Sequence, residues 1–114
     1  MDLHNDEGGG LHISRPPGAK DLDRHVDRMH AFERLLRKHT WFTEGSSGPK
    51  FRNPGSLGEG WLERYGIDAC ILEFNCNWAE GLKQPPSGEA WEQFGRGLRE
   101  VFFDYFDEVK PGNP

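Results

Sequence analysis

Apolar and polar residues alternate along this chain with periods that predict two long helices and one buried strand. In residues 21–39 the apolar positions fall three or four residues apart and form one stripe, with acidic residues in the first turn and basic residues in the last. Residues 87–109 repeat this pattern with a broad aromatic face, from an N-cap at Ser87 to a stop at Pro111-Gly112. Residues 67–74 instead form a nearly continuous apolar run, which is typical of a strand buried on both faces.

Weaker patterns predict shorter elements: strand segments at 1–4 and 40–43, an extended piece at 11–14, and a short helix at 61–65 ended by Gly66. Residues 44–60 are predicted to be a loop, and structureless loops of that length are commonly functional or mobile. The predicted order is strand, helix, strand, strand, helix. It indicates the α/β class, with a partial mixed sheet and flanking helices.

Length and charge limit the number of domains and the kinds of partner. The chain of 114 residues accommodates one small domain, which we place at 1–110 with a tail at 111–114. Its 14 basic and 19 acidic residues give a net charge of −5, which argues against a nucleic-acid partner. No apolar run approaches the roughly 20 residues that a membrane span requires, so no membrane partner is predicted.

The two cysteines, Cys70 and Cys76, are predicted to be free and buried. Six residues along an extended strand is too great a separation for a disulfide bond. Free thiols of this kind leave the cellular compartment undecided.

Glu73 is the residue with the clearest chemical signal. It lies inside the apolar run 67–74, and a carboxylate in such a position requires a partner. His4 ends a strand-like segment beside a glycine-rich turn, and histidine is the commonest metal ligand among side chains. By itself a single histidine is more often a surface or core residue. His12 and the acidic pair Asp6-Glu7 are near enough in sequence to offer a second ligand, although no recognised metal spacing links them to His4.

Together, these motifs resemble the C-terminal part of a zinc carboxypeptidase. The motifs are the strand end Asp2-Leu-His4, a loop closed by Gly55-Ser56, Trp61, Tyr65-Gly-Ile67, the strand Ala69-Cys-Ile-Leu-Glu73-Phe-Asn, and the final aromatic helix. They cover essentially all of the chain in the order of its elements. The resemblance implies part of a three-layer α/β/α fold, zinc as cofactor, and a peptide or acyl-amino-acid substrate.

The same resemblance implies a role for individual residues. His4 corresponds to a zinc ligand, and Glu73 corresponds to the general base that takes a proton from water and passes it to the leaving amine. Ser56 and Phe51 lie in the loop that contributes to substrate binding.

The chain departs from the family pattern in several places. The His-x-x-Glu motif that supplies two zinc ligands is absent; His30 and Glu33 have this spacing, but they follow His4 and lie inside an amphipathic helix. The arginines that hold the substrate are also absent, and Phe51, the aromatic residue nearest to the family's mobile tyrosine, has no hydroxyl. We therefore expect the isolated chain to be inactive and to self-associate through exposed sheet edges.

Three functions are open from the sequence. The chain is the C-terminal half of a zinc carboxypeptidase, or part of a related zinc amidohydrolase acting on acyl-amino acids or cell-wall peptides. Alternatively, it is a non-catalytic interaction module in which Glu73 pairs with a buried arginine or lysine and His4 has no chemical role.

Overall fold

The structure, a computed structural model, describes residues 1–110 as a three-stranded mixed sheet with three helices. In chain order the elements are β1 (Asp2–Asn5), β2 (Gly10–Ile13), α1 (Leu22–His39), α2 (Leu57–Tyr65), β3 (Cys70–Phe74) and α3 (Gly88–Glu108). The predicted α/β class with a mixed sheet and flanking helices is confirmed. The predicted order of elements is wrong, because two strands and two helices precede β3. The predicted tail at 111–114 lies outside the described residues.

The central strand of the sheet is β3, which is parallel to β1 and antiparallel to β2. Because β1 and β2 are consecutive in the chain but separated in the sheet, the turn between them crosses the carboxyl end of β3. There the amide of Asp6 donates to the carbonyl of Phe74 at 2.9 Å, and the side-chain amide of Asn75 donates to the carbonyl of Glu7 at 3.0 Å. The polar turn therefore forms hydrogen bonds with the residues at the carboxyl end of the central strand.

The two faces of β3 have different neighbours. Cys70, Leu72 and Phe74 belong to the hydrophobic core with α1 and α3, whereas Ile71 and Glu73 point to the opposite face. The helices contribute Met29, Phe32, Leu35, Leu36, Phe94, Val101 and Tyr105 to this core. Within residues 1–110, no helix is long and apolar enough to cross a membrane.

The helices α1 and α3 approach closely at Gly97. A Cβ atom at this position would collide with the backbone carbonyl of His39 at the end of α1. A larger residue at Gly97 would therefore force the two helices apart, since the opposing atom is backbone and cannot rotate away.

Residues 40–43 do not form the predicted strand. The hydroxyl of Thr40 donates to the carbonyl of Leu36 at 2.6 Å, and the indole of Trp41 donates to the carbonyl of Ala90 at 2.9 Å. The segment continues from the end of α1 towards α3, so its backbone does not join the sheet.

The predicted loop 44–60 is shorter and more ordered than expected. Its first part pairs with the free edge of β2, where Leu11 donates to the carbonyl of Gly45 at 3.0 Å and accepts from the amide of Ser47 at 2.8 Å. Its last part is helical, because α2 begins at Leu57 rather than at 61. The hydroxyl of Ser56 accepts from the amide of Glu59 and caps that helix.

The two cysteines are both free, as predicted. Cys70 is buried in β3, and burial raises the pKa of its thiol to about 11. The prediction that Cys76 is also buried is wrong. It lies beyond the end of β3 in an exposed turn, where its amide donates to Oδ1 of Asn5 at 3.3 Å.

A partly buried carboxylate, Asp68, joins three elements just before β3. It accepts hydrogen bonds from His25 at 3.0 Å, from Arg28 at 3.2 Å and from the hydroxyl of Tyr105 at 3.1 Å. His25 is 2% exposed, and its second ring nitrogen faces the carbonyl of Ser14 at 3.1 Å. Since both neighbours of His25 are acceptors, the doubly protonated ring satisfies both bonds.

These donors determine the pKa of Asp68. Burial alone would raise it, but the hydrogen bonds from His25, Tyr105 and Arg28 outweigh burial and hold it below its usual value. The ionised form of Asp68 is therefore the form that links α1 and α3 to the start of β3.

The outer edge of β1 is unpaired within residues 1–110, and all four of its residues are exposed. Leu3, an apolar residue of this strand, is 55% exposed. An open edge with exposed apolar groups is a suitable surface for strand addition. Self-association through this edge stays a prediction.

Replacing Asp68 with Asn is expected to lower the free energy of unfolding by about 2 to 3 kcal/mol, because charged hydrogen bonds are lost at a largely buried site. The pKa of Asp68 is lower in the folded state than in the unfolded state, where it is near 3.8. Asp68 therefore stabilises the fold at pH values above 3.8, and this stabilisation is lost as the pH falls through the folded-state pKa. Urea denaturation at pH 7 and pH 3 measures both effects.

The matched control is Asp27→Asn, an exposed carboxylate on α1, for which a change within about 0.5 kcal/mol is expected. Equal stability of Asp68→Asn and the wild-type chain at pH 7 would contradict a linking role for Asp68.

Candidate functional site

Three polar side chains lie together on the sheet face that is turned away from α1 and α3. In the register of the sheet, His4 of β1 and Gly10 of β2 are both direct neighbours of Glu73. Directly paired residues point to the same face, and neighbouring strands are about 4.8 Å apart. His4 and Glu73 therefore lie side by side near the carboxyl ends of two parallel strands.

The carboxylate of Glu73 is held by His12. The Nε2 atom of His12 lies 2.7 Å from Oε2 of Glu73, and the two side chains are 24% and 19% exposed. Because a carboxylate only accepts, Nε2 is the donor. The two residues are diagonal neighbours across the antiparallel pair, at a separation that long side chains can bridge.

Gly10 lies beside this bond. It stands directly opposite Glu73, and a Cβ atom there would be in ordinary van der Waals contact with Cε1 of the His12 ring, at 4.0 Å.

The ring of His12 is covered by Phe51. The two rings stack with centroids 4.5 Å apart and an angle of 17° between their planes. The second nitrogen of His12, Nδ1, is buried and has no hydrogen-bond partner among residues 1–110. Stacking on one side and hydrogen bonding through Nε2 thus fix the orientation of the imidazole.

His4 is held by a second carboxylate. Its Nε2 atom donates to Oδ2 of Asp2 at 2.9 Å, and these two side chains are 51% and 52% exposed. In the neutral ring this bond leaves the lone pair on Nδ1. A carboxylate bonded to one ring nitrogen is the usual partner of a histidine whose other nitrogen binds a metal.

The loop that carries Phe51 is anchored to α2. The carboxylate of Glu59, which is 4% exposed as a residue, accepts from the amide of Asn53 at 3.1 Å and from Arg52 at 3.3 Å. These bonds hold the segment immediately after Phe51, so the buried start of α2 supports the ring that covers His12.

The other residues singled out by sequence have different surroundings. The hydroxyl of Ser56 is engaged in capping α2, and Phe51 packs against His12; their proposed contact with substrate stays a prediction. His30 and Glu33 are bonded to each other at 3.3 Å on α1, which packs against the opposite face of the sheet.

The described side chains do not supply a complete set of zinc ligands. Within residues 1–110, no group of three or more histidine, cysteine, aspartate or glutamate side chains is arranged to hold a metal ion. Structural and catalytic zinc sites use at least three protein ligands. The described residues therefore do not fit Zn²⁺ by themselves, and a zinc site would need ligands from elsewhere.

Sequence reasoning did not identify His12 as the partner of Glu73. The alternation Leu11-His12-Ile13 was a usable signal, since the middle residue of a half-buried strand faces away from its apolar neighbours. The partner was nevertheless undetermined, because the sequence does not give the register between β2 and β3.

Comparisons of the chain with models of protein families, with curated protein sequences and with solved structures found no match.

Replacing Glu59 with Ala is expected to release the loop that carries Phe51. Hydrogen exchange at the amide of Asn53 should accelerate by about 10- to 100-fold, the equivalent of one lost hydrogen bond to a charged group. Proton–proton NOEs between Phe51 and His12 should weaken in parallel.

Glu63→Ala is the control, because Glu63 is exposed on the same helix and should leave both signals unchanged. Intact Phe51–His12 NOEs in Glu59→Ala would show that Glu59 does not support the stack.

Proposed function

We propose that this chain provides a general base, Glu73, and one metal ligand, His4, to a zinc-dependent hydrolase of carboxypeptidase type. The remaining metal ligands would come from outside residues 1–110. The substrate would be a peptide or an acyl-amino acid, and the reaction would be hydrolysis of its amide bond.

The observation that carries this proposal is the pairing of His4 with Glu73 on one face of the sheet. Ligand sites of open α/β sheets form outside the carboxyl ends of parallel strands, and both residues lie there. Glu73 remains 19% exposed, so water can reach the carboxylate.

Glu73 has the features of a proton acceptor. His12 bonds one carboxylate oxygen, Oε2, while Oε1 makes no hydrogen bond within residues 1–110. Oε1 can therefore accept a proton from a water molecule lying over the sheet and release it to the amine that leaves. The position of the carboxylate is set by the strand, so little reorganisation is needed at that step.

Two observations bear on the alternatives. The partner of Glu73 is a histidine rather than the arginine or lysine that the non-catalytic interaction module supposes. The aromatic side chain beside the pair is Phe51, which has no hydroxyl to donate, and this favours retaining the related amidohydrolase as a second candidate.

Titration of the full chain with Zn²⁺ tests the role of His4. The imidazole nitrogen signals of His4 should shift in NMR spectra, whereas those of His30, which is exposed on α1, should not. Binding is expected to be weak because other ligands are missing.

His4→Ala should abolish the response to Zn²⁺, and His30→Ala should preserve it. Retention of the response in His4→Ala would exclude His4 as the ligand.

The coding sequence upstream of Met1 tests the remaining requirement, and an in-frame His-x-x-Glu motif is expected there. In the product of that whole reading frame, Glu73→Gln should lower the rate of hydrolysis by about 10²- to 10⁴-fold, the usual contribution of a general base. Peptides with free and amidated C-termini, together with N-acyl-amino acids, separate the carboxypeptidase from the amidohydrolase.

The matched carboxylate variant is Glu33→Gln on α1, which should retain the wild-type rate. A wild-type rate in Glu73→Gln would overturn the proposal.

A further inference from the structure

The imidazole of His12 is the group outside the predicted catalytic pair that is most closely tied to Glu73. It makes the hydrogen bond to Oε2 at 2.7 Å, it comes from a different strand, and its ring is covered by Phe51. Neither the proposed ligand role of His4 nor the proposed base role of Glu73 accounts for these contacts.

The surroundings of His12 favour one form of the ring. Nε2 must carry a proton, since its partner is a carboxylate. Nδ1 is buried and meets no acceptor among residues 1–110. A second proton on Nδ1 would be a buried donor without a partner, which is costly, whereas an unprotonated Nδ1 leaves only a lone pair unsatisfied.

The arrangement also restricts what His12 can do. Nδ1 is buried and Nε2 is bonded to Glu73, so neither ring nitrogen is free to pass a proton to solvent. A neutral donor of fixed orientation can position the carboxylate, but it cannot relay its proton.

We propose that His12 is a positioning residue: as the neutral Nε2–H tautomer clamped by Phe51, it fixes Oε2 of Glu73 and leaves Oε1 to accept the proton. This inference rests on the proposed function for the chemical use of Oε1. The geometric part, that His12 holds Glu73 in one orientation, can be tested without any activity.

The first test uses NMR of the full chain at pH 7, labelled with ¹⁵N in the imidazole rings. His12 should give the pattern of the Nε2–H tautomer with a detectable, slowly exchanging Nε2 proton. Exposed His30, which bonds Glu33 on α1, is the internal comparison and should give a rapidly exchanging proton. An Nδ1–H tautomer or a doubly protonated ring at His12 would overturn the proposal.

The second test compares two variants of His12. Gln can place its Nε2 amide near the donor position of the histidine, whereas Leu cannot donate. In His12→Gln the side chain of Glu73 should keep one rotamer, seen in its side-chain coupling constants, and in His12→Leu it should average among several. A single unchanged rotamer in His12→Leu would refute the positioning role, provided that urea denaturation shows both variants to be folded.

The kinetic test uses the product of the whole reading frame. His12→Leu should lower kcat by about 10- to 100-fold with little change in KM, the effect typical of residues that orient a catalytic group, while His12→Gln should recover most of the rate. His30→Leu is the matched control.

These tests separate the two proposals. If the wild-type protein hydrolyses nothing while Glu73 loses its rotamer in His12→Leu, the positioning role stands and the proposed function fails. If hydrolysis requires Glu73 but His12→Leu retains the full kcat, the proposed function stands and the role of His12 fails.

Discussion

The pairing of β3 with a different strand on each side is the constraint on which the rest of the structure depends. The side chains of β3 alternate between the core formed with α1 and α3 and the opposite face of the sheet. The register of strand pairing therefore decides which of these side chains face the core. A slip of one residue would exchange the environments of Leu72 and Glu73, placing a carboxylate among apolar side chains. The cost of that exchange keeps Glu73 on the open face beside His4.

Two carboxylates near β3 have different hydrogen-bonding environments. Asp68 uses both oxygens, with three donors from α1 and α3, and its pKa is held below the usual value although burial opposes this. Glu73 has one hydrogen-bond donor among residues 1–110, His12, which bonds a single oxygen. The first carboxylate therefore has donors on both oxygens and links three elements of the fold, whereas the second has one oxygen without a donor among the described residues.

Support for the candidate site extends well beyond the sheet. The capped start of α2 positions Glu59, whose carboxylate bonds the segment after Phe51. Phe51 in turn covers the imidazole of His12, which bonds Glu73. Each contact is short-range, but together they connect the buried carboxylate of Glu59 to the partly buried carboxylate of Glu73. Residues 45–48 contribute from another direction by pairing with β2, the strand that carries His12.

The elements with local patterns could be predicted from the sequence. The predicted helix 21–39 differs from α1 by one residue at its start, and the predicted helix 87–109 differs from α3 by one residue at each end. This agreement is close because helical periodicity is a property of consecutive residues. The sequence also singled out Glu73, since a carboxylate in an apolar run requires a partner. The start of α2 was missed although Ser56 and Glu59 have capping-box spacing.

The pairing of His12 with Glu73, at a separation of 61 residues, could be read only from the folded structure. The physical reason is that strand pairing is non-local, and one step of register moves a side chain to the other face of the sheet.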